Sequence, residues 1–498
     1  MALATVHTRA QLGINAPEVH VEAHLAGGLP ALSIVGLPEA AVRESKERVR
    51  SALQNCQFEY PARRITINLA PADLPKEGGR YDLAIAIGIL AASGQVDARA
   101  LQGLELYGEL SLGGALRQTP GLLAAVLAAT RRGVAVVVPR ANASEAALVP
   151  DARVYVADNL LEVCAHLSGM APLQKATPAA PQAEQPGPDL REVRGQHQAR
   201  RALEIAAAGG HNLLFTGPPG AGKSMLAMRM PGLLPPLCAE DALEVAAIQS
   251  LTGTPVTHWP SRPFRAPHHT ASAVALVGGG SNPRPGEISL AHHGVLFLDE
   301  LPEFPSRVLE VLRAPLETGE IAISRARQHI HFPARFQLIA AMNPCPCGHS
   351  GEPDGRCRCT PDQARRYRNR VSGPLLDRID LHIQVRPLNA AALAKPQDAE
   401  TSAAVRARVI AARDRQLQRR GHPNAHLSVT ELEHDAALSS GDRNKFAQTA
   451  TQMGLSARGF HRVLKVARTV ADLAGQEAIG PTHLLEAIGY RGLDRTAQ

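Results

Sequence analysis

His211-Asn212-Leu213-Leu214-Phe215-Thr216-Gly217-Pro218-Pro219-Gly220-Ala221-Gly222-Lys223-Ser224 runs from an apolar segment straight into a complete G-x-x-x-x-G-K-[ST] phosphate loop. His211 to Thr216 reads as a short buried strand and Ser224 to Met230 as the start of a helix. Strand, glycine loop and helix are the context this motif requires. The glycines let backbone N–H groups close around phosphate oxygens, and the helix N-terminus adds a positive partial charge. Residues 217–224 are therefore expected to bind ATP, with Lys223 on the outer phosphates and Ser224 on Mg2+. That fixes an α/β core around a parallel sheet.

Downstream, Gly294-Val295-Leu296-Phe297-Leu298-Asp299-Glu300 supplies a second half-site. Four apolar residues form a buried strand, and two carboxylates emerge at its C-terminal end, where open α/β sheets bind ligands. Asp299 is expected in the Mg2+ shell, and Glu300 is expected to orient and deprotonate the attacking water. A third strand, Phe336 to Met342, ends in Asn343. That amide either bonds the γ-phosphate or lytic water, or simply opens the turn at Pro344. Arg378 lies between carboxylates in Leu376-Asp377-Arg378-Ile379-Asp380. It is either a surface ion pair or an arginine finger presented to a neighbouring subunit. Ser456 is a candidate N-cap. Arg458 then falls in the first helical turn, where the dipole disfavours a cation and an anionic partner suits it; Arg462, one turn on, is the alternative.

With 498 residues the chain is too long for one ordinary core, so two to four domains are expected. Apolar residues make up 45% and charged residues 20%, a balance suited to a globular protein. No apolar run reaches the roughly 18–20 residues that span a bilayer, and Met1 to His7 lacks a basic segment followed by an apolar one. The seven cysteines do not resemble a secreted disulfide framework, so a cytoplasmic protein without membrane partners is expected. A net charge of +7 permits a polyanionic partner, while 3% aromatic content argues against base stacking as the main mode of binding. Residues 171–188 carry five prolines without apolar period and read as a linker. Before it, β-rich runs and helical patterns alternate in an α+β domain; beyond Leu388 the pattern is helical.

Residues 318–335 alternate on both sides of a basic tip and read as a β-hairpin, with Arg325 and Arg327 available for DNA phosphates. Residues 250–290, with Arg262, Arg265, His268, His269 and Arg284, read as a projecting loop. The doublets His268-His269 and His292-His293 lack a third ligand at metal-binding spacing. Arg365, Arg366, Arg368 and Arg370 form a charged face for which a subunit interface and DNA compete. Cys345-Pro346-Cys347 and Cys357-Arg358-Cys359 pair four thiols on one loop. They either close a tetrahedral structural Zn2+ site or remain reduced and metal-free.

Together these segments resemble the AAA+ ATPases, in the magnesium-chelatase-like branch and specifically the ComM (YifB-like) family. The resemblance also rests on Ile34-Val35-Gly36-Leu37-Pro38, Val42 to Arg50, Asn68 to Lys76, Phe264 to Thr270 and Asn343 to Gly348. It implies a homo-oligomeric ring, a hexamer, with ATP between subunits. It also implies a DNA helicase or translocase acting on branched or single-stranded DNA, driving branch migration and heteroduplex extension in natural transformation. Two other classes stay open: a magnesium-chelatase-type motor acting on a protein partner, and a non-translocating ATP switch that recruits recombination proteins. The expected domains are an S5-like, Lon-protease-like domain at 1–170, a linker at 171–188, the AAA+ core at 189–388 and a helical lid at 389–498. In the Lon-like alignment Arg80 stands at the nucleophile position and the partner lysine falls near Leu123, so no Ser-Lys peptidase chemistry is expected.

Overall fold

A computed structural model describes residues 3–177, 187–254, 256, 259–280, 283–325, 328–351, 355–388 and 399–491, with backbone alone at 324, 325, 328 and 329. Arg327 and half of the expected linker, residues 178–186, lie outside these residues, and nothing is said of the Arg325 side chain. The chain forms two units: Met1–Ala183 with Ala239–Trp259 and Pro283–Pro285, and Glu184–Cys238 with Pro260–Asn282 and Gly286–Gln498.

The first unit is built on one sheet of β1 (Leu3–Arg9), β2 (Glu18–Ala26), β3 (Ala31–Val35), β4 (Arg64–Ala70), β5 (Leu104–Leu106), β6 (Ala135–Pro139), β7 (Val154–Ala157) and β8 (Gln174–Lys175), ordered β8-β7-β6-β5-β1-β2-β4-β3. On β2, Val19, Val21, Ala23 and Leu25 alternate with less buried residues, the period-2 signature of a strand with one covered face. Helices α1 (Ala40–Asn55) and α2 (Asp82–Ala92) belong to the core on that face, and every residue of α2 is buried. Helix α3 (Leu122–Arg131) shares a second cluster with Ala246 and Ala247.

Two boundaries differ from the expectation. β8 pairs antiparallel with β7 through Gln174 and Lys175, so the sheet continues into the stretch read as linker. Helix Ala239–Ser250, inside the expected 189–388 core, groups with the first unit. Its small alanines cover α3, a long-range packing choice that local patterning does not reveal.

The second unit contains α4 (His197–Gly209), β9 (Leu213–Thr216), α5 (Lys223–Ala227), β10 (Phe264–Arg265), β11 (Val295–Leu298), the hairpin β12 (Glu320–Arg325) and β13 (Gln328–Pro333), β14 (Gln337–Met342) and β15 (Leu381–Gln384). Its main sheet is parallel throughout, ordered β10-β11-β14-β9-β15. β9, β11 and β14 are buried along their whole length, as expected for parallel strands covered on both faces. The C-terminal part is helical: α6 (Ser402–Arg420), α7 (Val429–Ala436), α8 (Ser440–Gln452), α9 (Ala457–Leu473) and α10 (Pro481–Gly489). Thr401, Ser428, Ser439 and Ser456 cap the starts of α6 to α9. Val405, Val409, Val463, Val466 and Val470 join Phe215, Ile339 and Leu381 in one apolar cluster. Arg408 adds an ion pair to Glu204 (2.6 Å), and the His382 N–H of β15 donates to the Tyr490 carbonyl (2.7 Å). This is the expected α/β class, with a parallel-sheet core, a helical C-terminal part and a mixed N-terminal unit.

Candidate functional site

The site forms where β9, β11 and β14 end side by side. Gly217 has no room for a side chain: a Cβ there would lie 2.2 Å from the Val385 carbonyl oxygen. Gly220 and Gly222 take φ of +74° and +93°, left-handed values that cost a glycine least. The loop thus closes tightly and delivers Lys223 and Ser224 to the start of α5. A cleft of about 420 Å³ opens there, lined by Pro219, Gly220, Ala221, Gly222, Lys223, Ser224, Met225, Asp299, Glu300, Met342 and Asn343.

Inside the cleft, the Lys223 ammonium donates to the carbonyls of Gly217 (2.7 Å) and Pro218 (2.9 Å) and to Asn343 Oδ1 (3.0 Å). Burial pulls this ammonium below its ordinary pKa, against the opposing pull of Asp299 and Glu300. Ser224 Oγ donates to Asp299 Oδ2 at 2.5 Å, so a hydroxyl and a carboxylate from different elements share one point in space. The Glu300 N–H donates to the other Asp299 oxygen (2.9 Å). Glu300 itself adopts φ +51°, an uncommon conformation for a residue with a side chain and one that gathers at functional sites. Its carboxylate lies 3.2 Å from His269 Nδ1.

These residues fit a magnesium nucleotide. The lysine lines the cleft and bonds oxygens that an incoming phosphate would replace as its acceptors, and the serine–aspartate pair is the hard oxygen donor set that Mg2+ takes. Sequence reasoning placed all of these groups except His269. The signal is the doublet His268-His269, whose spacing reads as a metal ligand pair and not as a partner for Glu300.

The two distal arginines behave differently. Arg378 is buried; it donates to Glu317 Oε1 (2.5 Å) and to the Pro374 carbonyl (2.6 Å). Presenting it to a neighbouring subunit requires Glu317 to release it. Arg458 is exposed in the first turn of α9, after the Ser456 cap, whereas Arg462 is committed to Asp380 Oδ1 (2.5 Å). Asp380 is itself buried. Desolvation alone would raise its pKa, but Arg462 and His211 outweigh it and hold the carboxyl well below the usual range.

Comparison with known proteins places this site in a family. Residues 189–393 match the family described as "Magnesium chelatase, subunit ChlI", residues 21–142 "Subunit ChlI of Mg-chelatase" and residues 399–491 "Magnesium chelatase, subunit ChlI C-terminal". The chain is 52% identical over 506 residues to the competence protein ComM of Haemophilus influenzae, covering 100% of this chain and 99% of that one. It is 52% identical over 499 residues to YifB of Salmonella typhimurium, covering 99% and 98%. The chain belongs to the ComM/YifB family of magnesium-chelatase-like AAA+ ATPases. A more distant likeness, 27% over 322 residues, reaches the magnesium-chelatase 38 kDa subunit of Cereibacter sphaeroides, covering 58% of this chain and 86% of that one.

In this ComM/YifB-family chain the four thiols of the loop after Asn343 converge. Cys345 Sγ lies 3.4 Å from Cys347 Sγ and 3.8 Å from Cys357 Sγ, Cys347 and Cys357 are 3.7 Å apart, and all four sulfurs including Cys359 lie within 4.8 Å of one another. Disulfide sulfurs would stand at about 2.05 Å. The backbone N–H groups of His349 and Arg358 draw the Cys347 thiol down to about 6.

The basic segments of this ComM/YifB-family chain are less free than expected. Arg265 is held by Glu287 (2.6 and 2.7 Å), and Arg262 donates to the carbonyls of Pro235 and His293 (2.6 and 2.5 Å), so these two arginines are tied down, while His268 and Arg284 are exposed. The hairpin β12–β13 is present, its strands paired from Glu320↔Pro333 to Arg325↔Gln328. In the first unit Arg80 is buried and donates to Gln11 Oε1 (2.8 Å) and the Pro120 carbonyl (2.5 Å), and Leu123 is fully buried.

Proposed function

We propose that this chain is an ATP-hydrolysing motor that assembles as a ring, a hexamer, and moves branched or single-stranded DNA, extending heteroduplex during recombination of imported DNA. The observation that carries the reading is the meeting of Lys223 with Asn343 across the cleft, beside Ser224 on Asp299. The full-length likeness to the Haemophilus competence protein supports the DNA-uptake setting. Lys223 and the loop N–H groups hold the phosphates, and Ser224 with Asp299 holds the metal. Glu300 takes the proton of the attacking water, Asn343 orients that water, and Arg378 reaches the site from the neighbouring subunit. Arg458 reports nucleotide state to the helical part. Bound Mg2+ would neutralise charge on the outer phosphates. Cys345, Cys347, Cys357 and Cys359 hold a structural Zn2+ in this reading. The motor works in the cytoplasm, and the Lon-like N-terminal unit has no peptidase activity.

The deciding experiment measures ATP turnover with and without a four-way DNA junction, alongside oligomer mass. Stimulation by the junction and a ring-sized assembly support the motor. An ATPase indifferent to DNA at every salt concentration would end the DNA reading and favour the protein-directed motor to which the likeness to the magnesium-chelatase 38 kDa subunit points. Arg325→Ala is expected to weaken junction binding and flatten its salt dependence by about one counterion; an unchanged affinity removes the hairpin from the DNA interface.

A further inference from the structure

The four-thiol loop does more than sit near the ATP site; it is seated on it. Tetrahedral zinc with Zn–S bonds of about 2.3 Å sets its sulfurs about 3.8 Å apart. The separations of 3.4, 3.7 and 3.8 Å among Cys345, Cys347 and Cys357 match that edge. Cys345 is completely buried. Two residues before it, Asn343 accepts from Lys223.

Between the first thiol pair and the rest, the chain turns through Gly348, whose N–H donates to the Cys345 carbonyl (2.9 Å). Gly348 has φ +83°, and a Cβ placed on it would fall 2.4 Å from Pro219 Cδ and 2.8 Å from Pro219 Cγ. Real Cβ atoms do not come that close, so the turn rests directly on the third residue of the phosphate loop. At its far end, Cys359 is followed at once by Thr360, which caps helix Pro361–Arg368 through a reciprocal bond with Gln363. One loop therefore joins the phosphate loop, the strand end carrying Asn343, and the arginine-rich helix. Between Cys345 and Cys359 the loop carries no Leu, Ile, Val, Phe or Met, so a metal bridging its thiols would fix its shape.

Resting on the proposed Zn2+ assignment, we infer that metal occupancy of the Cys345–Cys347–Cys357–Cys359 centre positions the phosphate loop, through Gly348 on Pro219 and through Asn343 on Lys223, and so sets affinity for ATP. Loss of the metal by chelation unseats the turn and weakens nucleotide binding. The four cysteines and Gly348 are positioning residues; none needs to touch ATP.

The test uses the full-length protein. Zinc content is measured by elemental analysis, and the KM and kcat for ATP are measured on the wild type, on Cys357→Ser/Cys359→Ser and on Gly348→Ala. The wild type and Gly348→Ala are expected to hold about one equivalent of zinc and the double variant little. Both variants are expected to raise KM for ATP by about tenfold, with kcat changed far less, because the misplaced element is the binding loop and not the carboxylates. A merely structural role would lower the yield of active protein and hence kcat, leaving KM alone. Zinc added back to chelated wild type should restore KM. A metal-free wild type with normal KM overturns the zinc assignment itself. Zinc present with an unchanged KM in Gly348→Ala overturns the coupling and leaves the zinc assignment standing. Should the double variant fail to fold, Gly348→Ala and the chelation series decide the matter.

Discussion

His269 points its Nδ1 at Glu300 across 3.2 Å, so the carboxylate proposed to activate water already has a partner from the segment that follows β10. The His269 ring is stacked at a tilt on His268, with centroids 4.1 Å apart, and meets Phe304 edge-on at 6.5 Å. It is held in place by packing as well as by its acceptor. A base that is occupied by a donor competes poorly for the proton of water. His269→Ala is therefore expected to raise the basal ATPase rate about threefold, less than a fully buried charged hydrogen bond would give because Glu300 is half exposed. Steady-state turnover without DNA is the measurement, and a fall in rate would show that His269 aims the base instead of restraining it.

The Lys223 contacts predict a loss of function with a particular signature. Lys223→Ala removes the donor to Gly217, Pro218 and Asn343 together. Turnover should fall by about a hundredfold or more. Because burial already disfavours the ammonium, its removal should not lower the melting temperature. Calorimetry beside the kinetics separates the two effects, and a variant that is both inactive and unfolded would not fit this account.

Arg378 and Lys223 should complement each other between subunits. Arg378→Ala is expected to lose about a thousandfold in kcat, as for an arginine supplied in trans. Mixed with Lys223→Ala, it forms some interfaces that contain both intact groups, so a mixture of two inactive proteins should regain part of the activity. No recovery in the mixture, with oligomers formed, would place Arg378 inside its own subunit as Glu317's ion-pair partner alone.

Acid should loosen the second unit well before its carboxylates titrate. Burial first, then Arg491, depresses His382 to about 3, and burial with Lys465 depresses His426 to about 4. In the unfolded chain both return to about 6.5. Between those values the unfolded state binds more protons, so stability rises with pH there and is lost as pH falls from about 6.5 toward 3. Urea midpoints across that window should fall steadily, and His382→Phe with His426→Phe should flatten the slope. An unchanged slope in the double variant would mean other groups carry it.

Much of this site could be read from contiguous residues. The phosphate loop, the strand ending at Asp299 and Glu300, and the strand ending at Asn343 each announce themselves within eight residues, because apolar runs and obligatory glycines are local signals. What escaped reading depends on distant partners. Arg265 on Glu287, Arg462 on Asp380 and Arg378 on Glu317 are pairs that charge counting leaves unassigned. Helix Ala239–Ser250 carries a small-residue face equally suited to several surfaces, and only the folded chain selects α3. His269 was visible as half of a doublet, but its acceptor lies thirty-one positions downstream, reached through the sheet.

The apolar cluster that runs from Phe215 through Val409 to Val470 bears on where the polypeptide can be cut. A fragment stopping at residue 388 would bare a broad oily slab and leave the His382 N–H on the border strand without the Tyr490 carbonyl it donates to, inviting aggregation. Bench dissection of this unit should keep everything through Arg491, because among the described residues the C-terminal helices share one apolar cluster with the sheet.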